Sequence, residues 1–586
     1  MLMIRAAAAC LLVFMVLAPA AGAQWSSDPA VNLSIADAAS DQVQVKLAPT
    51  PDGGCWVSWF DGIASGFDVR VQKLDALGNE TLPHAGVLVA NRSFSSTQDY
   101  GLDADASGNA VLAFRDDAGV GVQITAAKVT PAGVLAWGAG GVQLTATTQF
   151  VASPRVAATG TGVVVAWTQD LSARVHGLNA SGASVWGDVV LAPGVGSFSP
   201  ADLHDSGNDA ILSYVYQTGG FGSPRRLRAQ KFDSTGAKLW AAEGVLVFNT
   251  GSLQFGNFPS FVPDGTGGAV FSWYDTGSLQ LQCYAQRLLA DGSPAFALNG
   301  VALSTNAARI RVSPWAAFDS STSETYLFWV EESSGQSMWG LYGQKLDSSG
   351  ARQWTDSGSA LIPIGSTVIS QVRDISSGGG AMVYWEESVS FNNDVLRGAH
   401  VSSAGAFDVG PFDVSSTASG KTRLAVAEGA LGNGVLAWSD NRVDANDVLG
   451  QSVEADGSLG PAGGFWTDLG SALAGVYGEP SLLASGSLVV GTPFRLSLSN
   501  ALESSTAGLF VGLSQLNAPF KGGTLVPAVD LLVILPTNGS GGLDLSLPAW
   551  PPGLPSGLAL NMQTWVLDAA GPVGYSASNA VARTVP

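Results

Sequence analysis

The chain has 586 residues, 47 acidic and 27 basic, for a formal charge of −20 at neutral pH. That balance excludes nucleic acid and anionic membranes as partners, because both are held by basic patches. Only 13% of residues are charged and 73 are glycine, which suits a turn-rich all-β protein and, at this length, more than one domain.

Residues 1–23 read as a signal peptide. Arg5 supplies the positive start, residues 6–18 an apolar run, and Ala21-Gly22-Ala23 a small-residue cleavage site. The run is too short to span a bilayer, Cys10 lies inside it where no lipid anchor would attach, and no later stretch is long and apolar enough for a transmembrane segment. The expectation is a secreted protein, extracellular or at the cell surface, and monomeric.

From residue 24 to residue 465 one phrase of about 54 residues recurs eight times, each copy turning on a strand that ends in an aromatic: Trp59, Phe114, Trp167, Tyr214, Trp273, Trp329, Trp385 and Trp438. Short strands and Gly-rich turns at this period predict an eight-bladed β-propeller, or a seven-bladed one if the second or fourth copy is not a sheet of its own. The fifth copy shows the grammar. A turn at Pro263–Gly268 leads into the alternating strand Ala269–Trp273; a third strand spans Leu279–Leu288, Asp291-Gly292 turns the chain, and Gly300–Leu303 is a short fourth strand. The third strand and its turn recur as Gln72–Asp75, Gln230–Asp233 and Gln344–Asp347, with glycine three residues later at Gly78, Gly236 and Gly350. A tryptophan follows several of these turns, at Trp137, Trp186, Trp240 and Trp354, and is expected to fill the gaps between blades.

The eighth copy has no good fourth strand, since Gly460–Gly464 cannot form a ladder. The segment Trp25–Ser34 resembles the fourth-strand phrase Trp137–Thr145, so the N-terminus should supply the outer strand of blade eight and clasp the ring. Cys55 and Cys283 then fall in blades one and five. They lie across the ring, beyond the roughly 7 Å that a disulfide tolerates, and should stay unpaired. Residues 466–586 lose the repeat; seven short strands between Pro/Gly/Asn turns predict an immunoglobulin-like β-sandwich.

The phrase Trp/Tyr-x-Asp, Tyr-Ala-Gln-Arg-Leu, Asp-Gly, Gly-Val-x-Leu resembles long propeller repeats of secreted bacterial proteins, over residues 25–457. The tail, ending in Trp565–Asp568 and Ser578–Val581, resembles a C-terminal module appended to such proteins, which implies a role in sorting or attachment. Asp233–Trp240 is similar to the turn of quinoprotein propellers and to the Asp-box of sialidases, in both of which it is structural; no sialidase arginine cluster and no cofactor pocket accompanies it.

Six copies place an acid two residues beyond the anchor: Asp61, Asp116, Asp275, Glu331, Glu387 and Asp440; copies three and four have Gln169 and Tyr216. Asp117, Asp170, Glu332, Glu386, Asp394, Asp444 and Asp447 lie in the same loops. All loops between second and third strands leave a propeller on one face, so an acidic crown is expected there. It would bind a glycan, a cation or a basic protein surface, unless each acid only pins its own loop. Asp440, Asp444 and Asp447 are spaced to wrap calcium, the one cofactor the sequence suggests. The Asp103–Asn109 segment imitates the start of a calcium loop without its distal glutamate, and His84, His176, His204 and His400 show no metal-ligand spacing. No nucleophile elbow or Cys/His arrangement is present. The expectation is a non-catalytic binding or scaffold protein. The alternatives are a carbohydrate-active enzyme, glycoside hydrolase or lyase, using paired crown acids, or a structural surface component.

Overall fold

The computed structural model describes residues 25–585, apart from 94–99, 120, 278–280, 462–465, 487, 489–493, 548–549, 552 and 556; the expected signal segment lies outside the described residues. Every regular element among them is a β-strand.

Eight four-stranded antiparallel sheets follow one another along the chain. Sheet one is Gln42–Pro49, Cys55–Ile63, Gly66–Leu74 and Val87–Ala90. Sheet eight takes three strands from one end of the repeat, Lys421–Glu428, Gly434–Asp440 and Asp447–Val453, and its fourth, Leu33–Ala36, from the other, with Leu33 opposite Gly450. The first strand of each sheet touches the first strand of the next, and Lys421–Glu428 touches Gln42–Pro49, so the series closes into a propeller-like ring.

Burial explains the repeat. All eight anchor aromatics are at most 1% exposed, each wedged between neighbouring sheets. Loss of one such ring costs about 3–5 kcal/mol. The later tryptophans pack between neighbouring sheets as expected: Trp240 is 7% exposed, and Trp137, Trp186 and Trp354 are half-buried against the cores that adjacent sheets share. Each covers the hairpin glycine of the next sheet: Trp137 lies on Gly182, Trp186 on Gly236, Trp240 on Gly292 and Trp354 on Gly405. Three of their indole N–H groups donate to carbonyls of that hairpin, at 3.1 Å to Ala180, 3.0 Å to Ala290 and 2.9 Å to Ser403. The glycines have φ near +80° and an added Cβ would strike the ring, so no other residue fits. Trp25 does the same to Gly78 of sheet one, which is how the N-terminal strand joins the pattern.

The repeated glutamine has its own task. Gln230 Oε1 accepts from Trp240 N at 3.0 Å while its Nε2 donates to Ala241 O at 2.6 Å, knitting the third strand to the connector beyond it. Gln286 and Gln344 repeat the arrangement. Cys55 and Cys283 are buried free thiols, and burial raises both pKa values.

Residues from 466 onward form three further sheets; one core includes Trp466, Phe494, Leu496 and Val566, and a second, smaller one of Phe510, Leu525, Trp565 and Ala577 seats the two-stranded sheet. Three strands there were not anticipated. Thr467–Gly470 pairs with Ala580–Thr584, and the hairpin Gln515–Phe520/Gly523–Pro527 hides its period behind two prolines. This unit sits on the hairpins between first and second strands: Ser485 Oγ donates to Leu431 O at 2.8 Å, and Arg495 lies 3.5 Å from Glu428.

Candidate functional site

The crown acids are mostly engaged in holding the fold. Asp61 pairs with Arg70 at 2.7 Å and accepts from Gln42 at 3.1 Å. Glu331, 1% exposed, lies 3.0 Å from Arg311 and accepts from the Trp329 indole at 2.8 Å. Asp440, 0% exposed as a side chain, binds Arg442 at 2.8 Å, Lys421 at 3.1 Å and the Trp438 indole at 2.9 Å. Asp116 is buried beside Arg92, Glu387 is 3.7 Å from Arg397, and Asp275 accepts the backbone N–H groups of Ser252 and Gly277, both at 2.7 Å. The spacing itself has a packing cause: residues i and i+2 share a strand face, so the anchor indole can donate to the side chain two positions on. Gln169 takes that place for Trp167 at 3.4 Å.

Five of the six acids face a basic side chain, which occupies them within the fold. At the expected calcium loop the Asp440 carboxylate is engaged by Arg442 and Lys421, and among the described residues no group of three His, Cys, Asp or Glu side chains is placed to hold a metal. Burial would raise the pKa of Asp440, but Arg442, Lys421, Trp438 and Ser419 hold it at about 2. Asp447 is pushed up to about 6 by burial and by the charge of Asp444.

Another acid of this region, like Asp275, makes no ion pair among the described residues. Glu386 follows anchor Trp385 directly, where the other copies carry Phe60, Arg115, Thr168, Val215, Tyr274, Val330 and Ser439. Strand alternation turns it toward sheet eight. It is 7% exposed and accepts from Ser370 Oγ at 2.9 Å and from Gln371 Nε2. Gln371 is a left-handed bulge residue, φ 47°, in the first strand of sheet seven, and its Oε1 accepts Leu424 N of sheet eight at 2.9 Å. The bulge thus aims one amide at the acid and the next sheet together. Burial, seconded by the charge of Asp394, pushes Glu386 up to about 7 against the hydrogen bonds from Ser370 and Gln371. Asp394 opens the following strand, Asn393–Ser402, opposite Ser388, whose hydroxyl it accepts. Between these strands the hairpin carries Phe391, 98% exposed. Lys421, tied to Asp440, bears on both Glu386 and Asp394 and closes the cluster on the sheet-eight side.

A second cluster, on the first strands of the ring, was not read from the sequence. Asp103 accepts Ala158 N at 2.9 Å, Arg155 Nε donates to Ala201 O at 2.7 Å, and Asp202 accepts Phe261 N at 3.1 Å. Each bond runs from one sheet to the next, so these are latches. His204 is 3.0 Å from Asp202; its burial is outweighed by Asp202, Asp103 and Asp205, which push its pKa up to about 9. His176 and His400, in third strands, are held by Asp188 and Asp408.

No family model matches the chain, and no curated protein matches it. Solved structures similar to it include a polysaccharide lyase of family 25, an ulvan lyase bound to -[GlcA(1-4)Rha3S]-, at 11% identity and TM-score 0.38, covering 75% of this chain and 95% of that one. The polysaccharide lyase Uly1 matches at 10% identity and TM-score 0.40 over 73% and 92%. A family 43 endo-arabinanase from Bacillus licheniformis matches at 11% and 0.26 over 44% and 96%. Each of these three is an enzyme that acts on a polysaccharide. With the crown acids bound internally, the expectation of a non-catalytic binding or scaffold protein presented by that crown is withdrawn.

Proposed function

We propose that this chain is a carbohydrate-active enzyme that cleaves glycosidic linkages at Glu386 and Asp394. It is carried on an eight-bladed β-propeller followed by a β-sandwich, and it works outside the cell. The observation that carries the reading is Glu386. It is a buried carboxyl at the open loop face that keeps its proton to about pH 7, beside a second carboxyl whose charge helps hold it there. Two acids whose environments split their tasks are the requirement for acid-assisted cleavage. Glu386 gives its proton to the leaving glycosidic oxygen, and Asp394 receives the proton released by the attacking water. Phe391, at the tip of the same hairpin, offers a face on which a sugar ring can stack.

The test is a panel of polysaccharides, arabinan, xylan and alginate among them, assayed for reducing ends and for the ultraviolet absorbance of unsaturated uronate products. Reducing ends without that absorbance support hydrolysis. The absorbance identifies elimination and replaces the water step. No product from any substrate, or full activity in Glu386→Gln, defeats the proposal.

A further inference from the structure

On the same loop face, three sheets away from Glu386, two loops bring a pair of phenyl rings together in the open. Phe221 lies between the second and third strands of sheet four, Asp209–Gln217 and Arg225–Phe232. Phe255 lies in the connection from Val245–Phe248 to Phe261–Pro263 of sheet five. The rings meet edge to face with centroids 5.2 Å apart, although they are 87% and 66% exposed. Single apolar residues at a surface need no explanation, but here two loops of different sheets bring two rings into contact in the open.

The support beneath them is rigid. Arg225, 7% exposed, places its guanidinium 5.4 Å from the Phe255 centroid and 5.3 Å from that of Phe258, and donates to Gln254 O at 2.6 Å. Leu253 N donates to Arg225 O at 2.9 Å, and Thr276 N to Ser252 O at 2.7 Å, which tie the connection to both sheets. The side-chain amides of Gln254 and Asn257, one exposed and one half-buried, flank Phe255 and make no hydrogen bond among the described residues.

We infer that the Phe221–Phe255 corner is a docking subsite for a polysaccharide chain, with sugar rings stacked on the phenyl faces and their hydroxyls bonded by Gln254 and Asn257. A sugar ring has an apolar C–H face and a polar edge, and this corner presents the matching pair: exposed aromatic faces beside solvent-accessible amides that make no hydrogen bond among the described residues. A protein partner fits less well, because a stable interface needs about 800 Å² on each side and the patch is two rings wide. The subsite rests on the glycan-cleaving reading, to which it adds a hold on the polymer remote from the cleaved bond.

The experiment is affinity electrophoresis of the full chain in gels containing arabinan, xylan or alginate, run in parallel with turnover on polymer and on short oligosaccharides. Wild type should be retarded by at least one polymer, and Phe221→Ala/Phe255→Ala should weaken that retardation about tenfold or more. Turnover on short oligosaccharides should be unchanged. The Gln254→Ala/Asn257→Ala pair, which leaves the rings in place, should weaken binding by a smaller factor and guards against a folding defect in the first variant. Glu386→Gln should bind as wild type does. Retardation of both double variants equal to wild type overturns the subsite, as does a wild type retarded by none of the polymers. A Glu386→Gln enzyme that still cleaves defeats the catalytic assignment while leaving the subsite standing.

Discussion

Glu331 in sheet six and Glu386 in sheet seven are buried acids one residue apart in the repeat grammar, and they have opposite roles. Glu331 sits two positions past its tryptophan, on the face that meets the Trp329 indole and Arg311. Burial raises its pKa, and Trp329 and Arg311 oppose the rise without cancelling it. Glu386 sits one position past its tryptophan, on the other face, where it meets a hydroxyl, an amide and another acid. The difference is a matter of strand parity. A shift of one residue moves an acid from a cation-lined wall, where it packs, to a site without a direct cation, where it keeps a proton.

Variants at the two positions should break in different ways. The largest effect is on chemistry: Glu386→Gln should lower polysaccharide turnover by at least about a hundredfold, whereas Glu331→Gln should leave turnover near wild type. Stability reverses the order. Glu331→Gln leaves Arg311 charged and buried, and chemical denaturation should show a loss of about 3–5 kcal/mol. The reverse variant, Arg311→Met, should cost a similar amount by stranding the carboxylate.

The pH dependence sharpens the contrast. Folded Glu386 keeps its proton to about pH 7, whereas in the unfolded chain it releases it near 4.5. Between those values the folded state binds more protons, so the stabilisation from this group is complete below about pH 4.5 and is lost as pH rises through about 7. It amounts to roughly 3 kcal/mol at most. Melting of wild type against Glu386→Gln across pH 4 to 8 should therefore show the variant gaining relative stability toward high pH, and turnover should fall as pH passes about 7. A difference between the two proteins that does not vary with pH would remove Glu386 as the proton donor. The smallest effect belongs to Gln169, where the indole of Trp167 has a neutral acceptor at 3.4 Å: Gln169→Ala should cost under about 1 kcal/mol by denaturant titration.

Much of the ring was legible because a repeat states its own rules. The anchors, the hairpin glycines and the N-terminal phrase beginning at Trp25 recur at fixed places, and burial with φ > 0 leaves few residues able to fill them. The C-terminal unit was read less completely, since Gln515–Phe520 lies mostly exposed with a proline near its end and shows no alternation to follow. At the site, repetition was ambiguous. The six recurring acids admit both a binding crown and the pinning of each loop, and in the structure five of them face a basic side chain. Glu386 was visible only as the copy that departs from the rule, and its partner Asp394 as one loop acid among many.

The sequence by itself determined the sheets and their turns, because strand period, aromatic anchors and glycine conformations are local constraints. It also determined that the ring must draw its last strand from the N-terminus, since the eighth copy has no strand of its own there. Only the tertiary structure decided which acids meet cations and which do not. That depends on register within each sheet, which sets the side chain paired across from each acid. Arg311 stands opposite Glu331 and Lys421 opposite Asp440, with Arg442 beside it, whereas Ser370 stands opposite Glu386, with Gln371 and the charge of Asp394 alongside.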